Sequence, residues 1–232
     1  AARRRHEGGA PAAAGDKQWL EQASDQYCKC GELMSQLRRK LPKDQVHRNL
    51  SVLMREVEAW FWAGNTAATF DGAGAEESLR KSLNAVELLP SDVKFSGDVL
   101  KRKAECIHFL AMSLAKQSKY DSAADYIKEA IPIYELLKDR IAIRDLYKAL
   151  AILKRRTGDL GKAKEALQTA MGLCKGPSKE ELDEENAIRT MISDVEAMEA
   201  RLKAQEKNTP GMYTHVPEDE DEATRWQNCT VS

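Results

Sequence analysis

A thirteen-residue segment in the second half of the chain recurs forty residues later, as KYDSAADYIKEAI from Lys119 and DLGKAKEALQTAM from Asp159. Superposed, the two place Ala123 on Ala163, Ile127 on Leu167 and Ala130 on Ala170. A fixed period of roughly 20 to 50 residues marks a unit that cannot bury its apolar face alone. Such units stack into a solenoid, and the concave side of the stack is a binding surface. Composition points the same way: 42% hydrophobic and 31% charged residues, with only four Phe and four Trp, suit helices better than long strands.

A formal net charge of -1 excludes the global basic field of a nucleic-acid binder, so no nucleic acid is expected as partner. Cys28, Cys30, Cys106, Cys174 and Cys229 have no framework spacing, which points to reduced thiols and a cytoplasmic setting. Residues 1–16 are rich in Arg and Ala with Glu7 among them. This arm reads either as a disordered polar segment or as the remnant of a presequence, and the latter would make the location organellar.

The apolar period is helical from about Lys17 to Lys207. Leu20, Ala23, Tyr27, Cys30, Met34, Leu37 and Leu41 alternate steps of three and four on one helix face. After Pro42 a second helix carries Val46, Leu50, Leu53, Val57 and Trp60, so 17–63 reads as an antiparallel hairpin. GNTAATFDGAGA, residues 64–75, reads as a Gly-rich loop. Residues 76–176 hold the repeat helices, and 177–207 a last helix striped by Ile188, Met191, Val195, Met198 and Leu202. Residues 208–232 contain two prolines and five consecutive acids from Glu218 to Glu222, and read as a disordered tail. The count comes to about eight helices.

The repeated segments resemble tetratricopeptide repeats, and the likeness extends back through each preceding helix. Ile107, Leu110, Ala111, Leu114, Ala123, Ile127 and Ala130 match one unit; Tyr147, Leu150, Ala151, Ala163, Leu167 and Ala170 match the next. Lys154 departs from the pattern where a large apolar residue is expected. The period resembles the longer members of the family, of about 40 residues. An earlier unit is degenerate: Ala85 and Pro90 fit, Ser78 and Ser82 do not. The resemblance implies an all-α, right-handed solenoid of helical hairpins with the Ile188 helix as its C-terminal cap, serving as a non-enzymatic scaffold or adaptor for proteins. The alternatives are a built-in subunit of a large assembly, organellar if the arm is a presequence, and a membrane-tethered regulator.

By the same resemblance, Glu105, His108, Met112 and Ala115, then Asp145, Lys148, Ile152 and Arg155, line the concave groove. With Phe109 beside them, His108, Met112, Lys148, Ile152 and Arg155 would suit a peptide with apolar and acidic residues. Glu105 and Asp145 stand where a clamp for chaperone carboxylates would need donors, which argues against a co-chaperone. Trp60, Phe61 and Trp62 cannot share one face; Trp62 falls outside and is a candidate contact residue.

The terminal Cys229, Thr230, Val231 and Ser232 match the prenylation pattern, the one feature that would bring a membrane into play. The acidic stretch before it would weaken any anchoring to an anionic leaflet. Cys28 and Cys30 lie about 200° apart around a helix and cannot chelate together. GAGA from Gly72 lacks a P-loop Lys. No nucleophile is paired with a base, so neither catalysis, cofactor nor metal is expected.

Overall fold

The computed structural model describes residues 14–174, 176 and 178–208; most of the N-terminal arm, the acidic tail and Cys229 lie outside them. Among the described residues there are nine helices and no strand: α1 (Ala14–Lys40), α2 (Val46–Ala67), α3 (Gly72–Glu87), α4 (Ser91–Lys94), α5 (Gly97–Lys116), α6 (Tyr120–Leu136), α7 (Arg140–Arg156), α8 (Leu160–Gly172) and α9 (Lys179–Asn208). Each long helix packs chiefly on the next, α3 passing directly to α5. Packing chiefly between successive long helices is the mark of a solenoid.

The repeated alanines sit where the helices pack. Ala111, Ala123 and Ala130 are buried with Ile107, Ile127 and Leu114 in one cluster, and Ala151, Ala163 and Ala170 with Leu167 in the next. Ile188 and Val195 of α9 join that second cluster, so α9 closes the end of the stack.

The repeat is also punctuated. Ser118, Lys138 and Gly158, spaced by twenty residues, are left-handed, with φ of 59°, 57° and 80°. Behind each, the chain closes a Schellman motif: Lys119 N–H donates to Leu114 O (2.9 Å), Asp139 N–H to Tyr134 O (3.1 Å) and Asp159 N–H to Lys154 O (2.9 Å). Asp139 and Asp159 then cap α7 and α8, accepting from Ala142 N–H and Lys162 N–H. Only the third stop carries glycine, which is why Ser118 and Lys138 do not read as stops in the sequence.

Three expectations need correction. The loop expected at 64–75 is short, because α2 runs to Ala67 and α3 begins at Gly72. Gly64 is not a breaker but the place where α2 and α3 cross: a Cβ there would lie 2.5 Å from Leu79 Cγ and 3.1 Å from Ala75 O. Asp71 then starts α3, its Oδ1 accepting from Ala73 N–H and Gly74 N–H. The helix count rises by one with α4, a single turn after Pro90 and too short to show a period. Finally, α1 begins at Ala14, inside the segment assigned to the arm.

A fourth difference concerns how α1 docks. A Cβ on Gly31 would meet Trp60 Cε2 at 2.6 Å, so the indole of α2 lies directly on that glycine. This crossing turns a polar row of α1 inward. Ser24 Oγ donates to Ala63 O (3.2 Å), Ser35 Oγ to Glu56 Oε1 (2.5 Å) and Arg38 Nε to Glu56 Oε2 (2.7 Å), while Cys28 Sγ lies 3.8 Å from Ser78 Oγ. Glu56 is buried, and Ser35 and Arg38 between them supply donors to both of its oxygens.

Candidate functional site

Trp60, Phe61 and Trp62 divide as helical geometry requires: the first two are buried and Trp62 is 40% exposed. Arg102 of α5 holds this part of α2. Its Nε and Nη2 donate to both oxygens of Glu58 (2.8 and 3.0 Å), and its Nη1 donates to Glu105 Oε2 (2.5 Å). The guanidinium lies 3.9 Å from the Phe61 ring centroid and 5.6 Å from that of Trp62. Planar stacking combined with a bidentate carboxylate is a task for Arg rather than Lys.

Around this clamp, α2 and α5 enclose a cleft of about 350 Å³. Met54, Val57 and Val99 give it an apolar lining. Its charged lining is Glu58, Asp98 and Glu105 against Lys101 and Arg102, three carboxylates to two cations. Burial raises the Glu105 carboxyl above its ordinary range, with Arg102 opposing the shift. An excess of negative charge beside an exposed indole favours an apolar group followed by a cation.

The residues expected to line a groove fare differently. Trp62, Phe61, Phe109 and His108 form a string of rings with centroids 5.1, 5.8 and 5.9 Å apart, so Trp62, Phe109 and His108 do come together. Phe109 is half-buried, but His108, Met112 and Ile152 are buried and offer no open surface. The reason for α5 is that Ala104 and nearly every residue from Cys106 to Ala115 are buried, Phe109 excepted. Over that stretch α5 is enclosed and has no free concave face, whereas its first turns, with Asp98, Lys101 and Arg102, stay accessible. Lys148 bonds Glu184 of α9 and lies 3.5 Å from Asp145, and Arg155 is half-buried and likewise engaged. Lys148 therefore ties α7 to α9 instead of waiting for an acidic peptide. The ionic cluster continues through Arg140 and Glu181 (3.0 Å) and through Arg144, 3.6 Å from Glu181.

The sequence reading missed Arg102 and the role of Glu58, partners 44 positions apart that no local pattern links. The spacing of Arg102 and Glu105 is the only local hint.

Elsewhere the chemistry is quiet. Cys106 donates to Ser82 Oγ (3.3 Å), and burial pushes its thiol up to about 12, which leaves it a poor nucleophile. Burial alone pushes His108 down to about 4, so its ring is neutral at neutral pH. Among the described residues no group of three or more His, Cys, Asp or Glu is placed to hold a metal ion. No described helix is long and apolar enough to cross a membrane.

Comparison with known proteins places the repeats. The tetratricopeptide repeat family profile matches residues 103–175. No curated protein sequence matches the chain. Among solved structures, the apo form of RapI is similar, at 14% identity and a TM-score of 0.53 over 78% of this chain. The likeness covers 65% of RapI, less than two thirds of its length, and at this identity it shows the fold alone. BtubC (BKLC) from P. vanneervenii aligns over 87% of this chain and 96% of its own, at 14% identity and a TM-score of 0.35.

Proposed function

Because residues 103–175 of this chain are tetratricopeptide repeats, we propose that it is a non-enzymatic scaffold that holds a protein partner on the face formed by α2 and α5. The observation that carries this reading is Trp62, an exposed indole stacked near Arg102 beside a cleft that joins an apolar patch to a net-acidic rim. Rigid aromatic side chains at the centre of a contact are where binding energy concentrates.

The partner segment proposed here differs from the one expected from sequence. An acidic peptide would have been met by Lys148 and Arg155, both engaged within the chain. The cleft beside Trp62 instead suits an apolar anchor next to a Lys or Arg of the partner, drawn by Glu58, Asp98 and Glu105.

Trp62→Ala is expected to weaken partner capture roughly tenfold or more. Its helicity and melting temperature should stay close to wild type, because Trp62 is already partly exposed. Lys148→Glu should do the reverse, lowering stability by removing the tie to Glu184 while leaving capture intact once folded protein is compared at equal amounts. Quantitative mass spectrometry of proteins retained by each immobilised variant checks both. Equal retention by wild type and Trp62→Ala would remove this face from the account. The reading as a built-in subunit would then gain, favoured by apolar side chains that α1 leaves exposed.

A further inference from the structure

The N-terminal helix docks through the wrong side for its own sequence. Its heptad stripe, Leu20 through Leu41 in alternating steps of three and four, covers three heptads. The inward row is Ser24, Gly31, Ser35 and Arg38 against α2 and Cys28 against Ser78 of α3, roughly 100° around the helix from the middle of that stripe. The consequence is an open apolar seam. Trp19 is 73% exposed, Tyr27 38%, Leu33 60% and Leu37 43%, all on the outer side of the first helix of the stack. The flank away from α2 carries Gln18, Gln22, Gln26, Lys29, Gln36 and Lys40, without an acid among them.

We propose that two copies of this chain pair through this outer face of α1, as an antiparallel helix pair with its two-fold axis at Cys30. An isologous contact needs a surface that complements itself, and this seam does. Turned about Cys30, Trp19 faces Leu41, Ala23 faces Leu37 and Tyr27 faces Leu33 of the other copy. Large residues thus meet smaller ones along the seam, and the small Cys30 meets itself on the axis. Lys40 of one copy comes beside Trp19 of the other, a cation placed at an indole. A flank dominated by glutamines brings little like-charge repulsion to the pair.

Area sets the strength. From Trp19 to Leu41 the seam is about 33 Å long, so a helix pair over that length buries on the order of 1,000 Å² in total. That is the lower limit for a specific contact, and the dimer is accordingly of roughly micromolar strength. The pairing does not depend on the α2 and α5 face, which lies elsewhere on the stack.

Sedimentation equilibrium of the full chain tests it. Wild type is expected to pass from monomer to dimer between about 1 and 100 μM. Leu33→Glu with Leu37→Glu should stay monomeric throughout, with wild-type helicity and melting, since both side chains are already exposed. Mild oxidation of the dimer should give a disulfide that Cys30→Ser abolishes and Cys28→Ser does not, because Cys28 faces Ser78. Trp62→Ala should leave the dimer unchanged, which separates this result from the partner-binding test. A wild-type chain still monomeric at about 100 μM would overturn the proposal. So would a dimer that survives the double glutamate variant, or a cross-link that persists without Cys30.

Discussion

Between pH 6.5 and about 4, the chain is expected to lose about 3 kcal/mol of stability through His108 alone. The imidazole is buried, and burial holds its pKa at about 4 against an ordinary 6.5. Above 6.5 the ring is neutral in the folded and unfolded chains alike, and its contribution is complete. As pH falls below 6.5 the unfolded chain takes up a proton that the folded chain refuses until about 4, so the balance shifts toward unfolding. Glu105 acts in the opposite sense, because burial raises its carboxyl and the folded chain binds its proton more readily. The His108 part is therefore read as a difference. Urea midpoints of wild type and His108→Gln, taken from pH 7.5 to 4.5, should diverge, with the variant flatter across the acid range. Parallel curves would mean that the ring reaches water or a partner that accepts its charge.

Ala163→Leu should destabilise by roughly 1 to 3 kcal/mol, and Ala123→Leu by a similar amount. Both alanines are wholly buried at equivalent places of successive units, among the residues that pack α5 on α6 and α7 on α8. Extra volume there pushes neighbouring helices apart or forces side chains off their rotamers, since protein interiors are close-packed. Ala197→Leu, on the exposed side of α9, is the control and should fall within a few tenths of a kcal/mol of wild type. Denaturant midpoints compare the three. Equal midpoints would contradict the packing role of the repeated alanines.

What the sequence made legible follows from what a period can carry. Ala123 and Ala163 show the unit, and the Ile188 stripe shows the cap, because each depends on spacing within one helix or between identical ones. Gly64 misleads because composition marks glycine as a breaker, whereas here its missing Cβ lets Leu79 approach. Gly31 has the same effect on α1: the apolar stripe is visible in sequence, but a glycine under Trp60 decides which face docks. The site was less legible. Positions carried over from the family placed His108, Met112 and Ile152 on an open groove, and only the packing shows the second half of α5 and Ile152 of α7 buried. The clamp of Arg102 on Glu58 joins residues 44 apart in the chain and leaves no local trace.

The claim that this solenoid binds a protein through α2 and α5 is tested most directly by hydroxyl-radical footprinting of the full chain, free and with a captured partner. Trp62 and the half-buried Met54 should lose reactivity severalfold on binding, while Leu136, 72% exposed at the end of α6, keeps its own. Unchanged oxidation of Trp62 and Met54 in a complex that protects some other surface would contradict it.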